Sequence, residues 1–423
     1  MDIELSEIEA ARRRLKGVIN DTMLVKSYTF SKMADANIYL KYENLQKTGS
    51  FKIRGASNKI AKMIEQGDRS DVIASSAGNH AQGVACAASK FNLKATIVMP
   101  KHAPVAKVHA TRGYGAEVVL YGSCYDEAHE KAIEIQKERG SKFLHPYDDL
   151  DVIAGQGTLG IELLEQLPAA DIVLIPAGGG GLLAGVATAI KKINPRVKVY
   201  GVQGEHADAI VQSFEHKQKI CTSKASTIAD GIEVNIPGDT TLELIYKYVD
   251  GMIRVSDDDI ADAILLLLER CKQVVEPAGA ASVAAIIGNQ IDVKGKNVIC
   301  LLSGGNIDVS TMDSMIKRGM TVRHRYMEII GLIDDTSQAI LDFIKVVSDA
   351  GARILNFRTD KHSTLLSAGQ VRITVDCEIG DEDDKKNLYK ALENSYDFFT
   401  TDEENDGLYL EKLVEYRQEH GLD

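Results

Sequence analysis

The sequence lacks the long apolar segment that a membrane-spanning protein requires. No run of about 18 consecutive apolar residues occurs in the chain of 423 residues, which excludes a spanning helix. The first residues, Met1 to Glu7, are acidic and contain no apolar core of a secretory signal. We therefore expect a cytoplasmic protein that does not bind membranes.

An excess of positive charge is also missing. The 61 acidic residues outnumber the 49 lysines and arginines, which gives a formal net charge of -12. Proteins that bind nucleic acid or anionic lipid usually present a basic surface. We expect neither partner. The content of 44% hydrophobic and 26% charged residues is typical of a soluble globular protein.

Closely spaced cysteines are absent as well. No two of the six cysteines have the spacing of a zinc or redox motif. We expect reduced thiols in the core, and Cys300 in the apolar run Val298–Leu302 should be buried. The cysteines are Cys86, Cys124, Cys221, Cys271, Cys300 and Cys377.

Short apolar runs alternate with amphipathic helical patterns from Asn37 to Leu302. Such runs, for example Ala95–Met99, predict parallel strands that helices cover on both faces, so we assign the α/β class. Beyond Gly319 the pattern changes to β-α-β-β-α, which predicts a separate ferredoxin-like module with its boundary near residue 320.

Lys52 stands at the start of a predicted helix, directly after a tight turn. Gly49 allows turn conformations that are closed to other residues, and Ser50 is a favourable N-cap. A lysine at a helix start is usually solvated. The same position lowers its pKa, however, and a neutral amine is a nucleophile. This segment alone leaves both interpretations open. The apolar residues that follow at helical spacing are Ile53, Ala56, Ile60, Met63 and Ile64.

Two further loops follow predicted strands, where ligands bind in open α/β sheets. Ser75–His80 opens a helix, so its amides can bind an anion; Ser76 adds a hydroxyl, and Asn79 a donor and an acceptor. Ordinary helix capping explains this segment equally well. Ser303–Asn306 also follows a strand, and the Ser303 hydroxyl could bind a neutral ring nitrogen.

A run of four glycines precedes another helix. Gly178, Gly179, Gly180 and Gly181, followed by Leu182, would let backbone amides surround a phosphate at the helix N-terminus. The alternative is a flexible turn. The run lacks the lysine of a P-loop and the spacing of a dinucleotide site, so neither ATP nor NAD is favoured.

A lysine, a phosphate site, an asparagine and a serine at strand ends are what pyridoxal phosphate requires. Residues 5–318 resemble the threonine dehydratase family of fold type II pyridoxal-phosphate enzymes. The motifs that carry the resemblance are Lys47–Ala56, Ala74–Gly83, Ala154–Thr158, Gly178–Leu182, Glu276–Ala280 and Ser303–Asn306. The resemblance implies a catalytic domain over residues 1–318, like the β-subunit of tryptophan synthase, with a smaller subdomain at roughly 66–142.

The resemblance also implies roles for single residues. Lys52 would be the Schiff-base lysine, Asn79 would lie beside the ring hydroxyl, and Ser303 would bind the pyridine nitrogen. The phosphate would bind at Gly178–Leu182. The substrate carboxylate would bind at Ser76, Ala77, Asn79 and His80.

Racemase relatives carry a serine where this chain has Ala77, and carboxylates that bind a divalent metal where it has Gln203 and Ala209. Ala77 cannot act as an acid or base, which argues against racemisation. Glutamine and alanine are poor ligands for a hard cation, so we expect no divalent metal. A monovalent ion stays open.

Residues 322–423 resemble an ACT regulatory domain. Ala350–Ile354 fits the helix-to-strand turn of that family, whose first strand-helix loop usually binds amino acids through a glycine. Here the loop is Asp334–Ser337, with Ser337 at the position of that glycine. A regulatory module with an amino acid or nucleotide effector and a module that serves only oligomerisation are both compatible with this sequence.

The resemblance implies dehydration and deamination of L-threonine to 2-oxobutyrate and ammonia, with some L-serine activity. Lys52 would remove the Cα proton, and the cofactor phosphate would assist the departure of hydroxide. We expect a homo-oligomer, a dimer or tetramer, that takes part in isoleucine biosynthesis and is regulated allosterically. The alternatives are a serine dehydratase, a serine racemase or a β-replacement enzyme of the same fold, and a non-catalytic amino acid sensor.

Overall fold

The computed structural model describes residues 2–400 except 224, 362–365, 367, 381, 394 and 397. The chain divides into two compact units, residues 1–312 and 313–423, and the division falls inside a helix. The predicted domain limits, 318 and 322, lie in the same helix. Residues 401–423, which we assigned to the second domain, lie outside the described residues.

The first unit alternates strands and helices, as its apolar pattern predicts. Its strands are β1 (Leu24–Lys26), β2 (Asn37–Tyr42), β3 (Val72–Ser75), β4 (Ala95–Met99), β5 (Glu117–Leu120), β6 (Lys142–Phe143), β7 (Ile172–Pro176), β8 (Lys198–Gly204), β9 (Gly251–Val255) and β10 (Asn297–Leu302). Its helices are α1 (Leu5–Leu15), α2 (Tyr28–Met33), α3 (Lys52–Glu65), α4 (Asn79–Lys90), α5 (Val105–Gly113), α6 (Tyr125–Arg139), α7 (Leu150–Gln166), α8 (Gly181–Ile193), α9 (Ala209–His216), α10 (Asp239–Tyr248), α11 (Asp257–Cys271), α12 (Pro277–Ile287) and α13 (Val309–Val322), the last of which reaches into the second unit.

The larger sheet has the strand order β1-β2-β10-β7-β8-β9. All neighbouring strands in it are parallel except β1 and β2, which are antiparallel. The prediction of parallel strands alone is therefore wrong at this edge. Three-residue β1 is too short to show an apolar run, and both β1 and β9 escaped the sequence analysis. The central strand β10 is apolar and, apart from Asn297, fully buried.

The smaller sheet, β5-β4-β3-β6, is parallel throughout. It extends from Val72 to Phe143, close to the subdomain expected at roughly 66–142. Helix α4, which follows β3, packs closely on the first turn of α3, because a Cβ atom on Gly83 would lie 3.1 Å from the Lys52 carbonyl carbon. The small sheet thereby presents the start of α4 to Lys52.

The second unit has the element order β-α-β-β-α-β and one antiparallel sheet, ordered β12-β13-β11-β14. Strand β14 was missed because it is only three residues long. The elements are β11 (Tyr326–Asp334), α14 (Ser337–Asp349), β12 (Arg353–Asp360), β13 (Gln370–Glu378), α15 (Glu382–Glu393) and β14 (Phe398–Thr400).

The thiols are less uniformly buried than predicted. Cys300 and Cys377 are buried, as expected of core thiols, but Cys124 and Cys221 are exposed because they lie in loops rather than in strands. Within the described part of the chain, no helix combines the length and the apolar composition that crossing a membrane would need.

Candidate active site

Lys52 is the first residue of α3 and lies where three loops of the first unit meet. Its amine donates a hydrogen bond to the carbonyl of Pro146, 3.2 Å away. Burial lowers the pKa of this amine to about 8, and the nearby charge of Glu276 opposes that shift. Part of the side chain is still reachable by solvent. Lys52 therefore combines access with an amine that is partly neutral near physiological pH.

The predicted N-cap is wrong. The cap of α3 is Phe51, which has no side-chain cap, while Ser50 pairs with Gly304 in a short antiparallel bridge. Two further backbone hydrogen bonds join these loops, from Phe51 to Ser303 at 3.1 Å and from Gly305 to Gly49 at 2.9 Å. Pairing with Gly304 of the same chain thus takes Ser50 out of the capping position and holds the Lys52 loop against Ser303.

The sheet explains why these loops meet. Strands β2, β10 and β7 are parallel neighbours, so their carboxyl ends share one edge. The Lys52 loop follows β2, Ser303 follows β10, and Gly178 follows β7 after a single residue. Segments that are more than one hundred residues apart in sequence therefore surround one site.

The glycine run forms a close-fitting turn into α8. Gly180 has a φ of +93°, a conformation that favours glycine, and Gly181 begins the helix. A Cβ atom on Gly179 would lie 2.3 Å from the ring of Tyr147, and one on Gly178 would lie 3.1 Å from the Cα of Ile232. The run is therefore a defined turn, and its amides lie at a helix N-terminus that suits a phosphate.

The loop after β3 supplies the substrate-binding candidates. Ser76, Ala77 and Asn79 are partly accessible at the start of α4, whereas His80 is buried. The His80 Nε2 donates to the carbonyl of Leu144 at 2.9 Å. Burial, followed by the charge of Lys52, lowers the pKa of His80 to about 3. The ring is therefore neutral, and what His80 can offer a substrate carboxylate is its backbone N–H.

A polar chain that the sequence analysis did not anticipate connects Asn79 to the other loops. Asn79 donates from Nδ2 to Oε1 of Glu276 at 2.6 Å. Its own oxygen accepts from Nδ2 of Asn306 at 2.7 Å, and Asn306 also donates to the carbonyl of Thr48 at 2.8 Å. Glu276 and Asn306 lie in the motifs Glu276–Ala280 and Ser303–Asn306, but the sequence predicted no role for either side chain. An acidic residue in an otherwise apolar motif was the available signal.

A buried charge cluster anchors α3 from behind. Arg54 has no exposed side-chain surface and forms paired hydrogen bonds with Glu43, at 2.8 and 2.9 Å, and with Glu162, at 2.6 and 3.0 Å. Lys41, equally buried, pairs with Glu162 at 3.1 Å. Arg54 follows Lys52 by two residues, so this cluster fixes the helix turn that carries the amine.

Gln203 and Ala209 are the two positions at which racemase relatives carry metal-binding carboxylates. Gln203 is buried, and its oxygen accepts from the backbone N–H groups of Ile210 and Val211, each at 3.0 Å. Ala209 begins α9. Among the residues that the structure describes, no group of three or more His, Cys, Asp or Glu side chains is arranged to hold a metal ion.

The residues present fit pyridoxal phosphate. The site offers a partly neutral amine on Lys52, an anion-binding turn at Gly178–Gly181 and a hydroxyl on Ser303. Ser303 is almost fully buried, so a ligand that enters the site would meet its hydroxyl away from bulk solvent. Ser50, two residues before Lys52, has a buried hydroxyl that makes no hydrogen bond to any residue that the structure describes.

Comparison with known proteins gives the same result. Residues 15–304 match the model of the family described as pyridoxal-phosphate dependent enzyme. An L-threonine ammonia-lyase of Thermotoga maritima is 46% identical over 390 residues, which cover 92% of this chain and 97% of that protein. That match is longer than the first unit, so it includes part of the second.

Two solved structures share the fold. Threonine deaminase isoform 2 from Solanum lycopersicum has a TM-score of 0.71 and 37% identity, over 74% of this chain and 86% of that one. Serine racemase from maize has a TM-score of 0.71 and 33% identity, over 77% of this chain and all of that one. The family resemblance drawn from the motifs is confirmed. The chain therefore belongs to the family of pyridoxal-phosphate dependent enzymes, with pyridoxal 5'-phosphate as its cofactor.

Proposed function

We propose that the protein is a threonine ammonia-lyase, which converts L-threonine to 2-oxobutyrate and ammonia. The observation that carries this proposal is the buried amine of Lys52, with its pKa lowered to about 8, at the junction of the glycine, Ser303 and Asn79 loops. The Thermotoga relative, similar over nearly its whole length, carries the name of this activity. A proton from Cα and hydroxide from Cβ leave as one molecule of water. One molecule of water is then consumed when the imine product is hydrolysed to 2-oxobutyrate and ammonia.

The chain's own residues have distinct tasks in this reaction. Bound pyridoxal phosphate supplies the electron sink that makes the Cα proton of an amino acid removable. Lys52 accepts that proton at Nζ, for which a neutral amine is required. Gly178–Leu182, at the N-terminus of α8, would hold the phosphate, the hydroxyl of the buried Ser303 would bind the ring nitrogen, and Asn79 would lie beside the ring hydroxyl.

The start of α4 binds the substrate carboxylate. Ser76, Ala77, Asn79 and His80 form the turn into this helix, whose N-terminal amides favour an anion. Since the His80 ring is neutral and already donates to Leu144, it adds no charge there. The backbone of the turn and the Ser76 hydroxyl supply the donors.

Ala77 favours elimination over racemisation. Racemisation needs a second group that can exchange a proton with Cα, and the methyl group of Ala77 cannot do this. Incubation with L-serine followed by chiral analysis separates the two activities. Pyruvate and ammonia without D-serine support the lyase, and steady formation of D-serine would contradict it.

The lyase proposal is tested with an ammonia and keto-acid assay over a panel of amino acids. We expect L-threonine to be the best substrate and L-serine a weaker one. Lys52→Ala should lose turnover and covalent cofactor, whereas Lys62→Ala, on the same helix but paired with Asp151 at its far end, should keep both. Turnover by the Lys52→Ala variant would contradict the assignment of Lys52 as the catalytic base. A wild-type protein that is colourless and stays inactive with added cofactor would favour a non-catalytic sensor.

The second unit is proposed to be an ACT-like regulatory module. Its β-α-β-β-α-β order and its antiparallel sheet support this proposal. The candidate effector loop is already partly occupied by its own contacts, because Thr336 caps α14 by accepting from Ala339 at 3.2 Å and Lys361 pairs with Asp335 at 2.7 Å.

The wider biological setting belongs to the same proposal. A cytoplasmic enzyme that forms a dimer or tetramer and supplies 2-oxobutyrate to isoleucine biosynthesis would be a natural target of allosteric control. Repeating the threonine assay with isoleucine, valine and nucleotides tests this. A change in the substrate dependence supports regulation, and no response to any of them contradicts it.

A further inference from the structure

Glu276 is a buried carboxyl group to which the reaction described above gives no task. It immediately precedes α12, whose first residue is Pro277, and only 5% of its surface is exposed. Its backbone N–H donates to the carbonyl of Gly304 at 3.1 Å. Buried carboxyl groups need partners, so the neighbours of this one indicate what it does.

The carboxyl group joins two loops that surround the cofactor site. Oε1 accepts from Nδ2 of Asn79 at 2.6 Å, and the backbone N–H of Asn306 also donates to this carboxyl. Gly304 lies directly against it, because a Cβ atom there would come within 2.2 Å of Oε1. Glu276 thus contacts both the start of α4 and the loop that begins with Ser303.

These contacts determine how the amide of Asn79 is oriented. An ionised carboxylate can only accept hydrogen bonds, so Asn79 must turn its nitrogen toward Glu276. At the other end, the Thr48 carbonyl can only accept from Asn306, whose Nδ2 then donates to the oxygen of Asn79. Two acceptor-only groups therefore set the direction of the whole chain, and the second N–H of Asn79 remains free for a ligand.

We infer that Glu276 is a positioning residue for the cofactor ring. Its carboxylate holds the amide of Asn79 in one orientation and connects the Ser303 loop to α4. The inference rests on the proposed roles of Asn79 and Ser303 beside the ring. It requires the ionised form of Glu276, because a protonated carboxyl becomes a donor and competes with the N–H groups that point at it.

The charged groups around Glu276 make its ionisation sensitive to pH. Burial, followed by the charge of Asp230, raises the pKa of Glu276 to about 7, while the hydrogen bond from Asn79, the charge of Lys107 and the Asn306 N–H oppose the shift. Lys52 on α3 also faces it. Asp230 and Lys107 form an ion pair at 3.0 Å, and Asp308 lies near Lys107. Cofactor binding should therefore weaken as the pH falls through about 7.

The test measures binding of pyridoxal phosphate to the full chain, by absorption and fluorescence, without any substrate. At a pH above 7, Glu276→Gln should bind the cofactor about ten-fold more weakly, the effect of one charge-assisted hydrogen bond. It should also lack the spectral transition near pH 7. Glu276→Asp, which keeps the carboxylate, should recover part of the affinity and a transition.

Two variants that leave Glu276 in place give the transition a signature. Asp230→Asn removes a charge that raises the Glu276 pKa, so the transition should move to lower pH. Lys107→Met removes an opposing charge and should move it to higher pH. Opposite shifts support the inference even if Glu276→Gln does not fold. Unchanged affinity and titration in Glu276→Gln, or no shift in either neighbour variant, would overturn it. If the cofactor titrates as expected but threonine is not a substrate, the proposed activity fails while this inference stands.

Discussion

Replacing Arg54 with methionine should strongly destabilise the first unit. The Arg54 and Glu43 side chains have no exposed surface, and Glu162 is only 14% exposed. Methionine fills much of the volume but leaves the Glu43 carboxylate buried without its cation, while Glu162 keeps Lys41. Removing one partner of a buried ion pair costs about 3–5 kcal/mol. We expect a loss of this size in the free energy of unfolding.

The chain contains a matched control for this substitution. Arg12 forms the same paired contact with Glu165, with two hydrogen bonds of 2.6 Å, but the side chains are 43% and 55% exposed. Solvent screens such a pair, so Arg12→Met should cost about 0–1 kcal/mol. Combining Arg54→Met with Glu43→Gln should recover part of the loss, because no buried unpaired carboxylate then remains at Glu43.

Urea unfolding followed by far-ultraviolet circular dichroism measures these differences, provided that the slopes of the transitions agree. Because Arg54 lies two residues after Lys52 on α3, cofactor affinity should fall together with stability. Equal losses of stability in Arg54→Met and Arg12→Met, or a double variant that is less stable than Arg54→Met alone, would contradict a buried, unpaired Glu43 carboxylate as the cause.

Two further perturbations address the site itself. The folded state holds His80 neutral, with a pKa of about 3 against 6.5 in the unfolded chain, so the unfolded state binds more protons between these values and stability should fall as the pH drops through that window. His80→Gln should flatten this dependence in urea midpoints, and an identical pH profile would contradict the assignment. Gly179→Ala places a Cβ atom 2.3 Å from the Tyr147 ring and should weaken cofactor binding about ten-fold or more in a titration. Gly113→Ala, where a Cβ atom meets nothing within 4 Å, should leave that binding unchanged, and equal effects of the two substitutions would refute the steric argument.

Local patterns were enough to predict most of the elements around the site. The apolar run of β10 and the amphipathic face of α3 were evident because period and polarity depend on neighbouring residues. Strands β1, β6 and β14 were not, because two or three residues carry too little pattern and pairing partners decide whether they form. The edge strand β9 contains Gly251 and Arg254 and therefore shows no continuous apolar run.

The sequence by itself determined the α/β class and indicated Lys52, Gly178–Leu182 and Ser303 as cofactor candidates. Turn residues and strand ends are evident from neighbouring residues, and the order of the motifs is evident from the chain as a whole. Only the tertiary structure decided which neighbours these residues have. It took Ser50 from the helix cap by pairing it with Gly304, and it brought Glu276 within 2.6 Å of Asn79. The first contact arises where the parallel strands β2 and β10 end side by side. The second joins the loop after β3, a strand of the smaller sheet, to the start of α12, and the distance along the chain predicts neither contact.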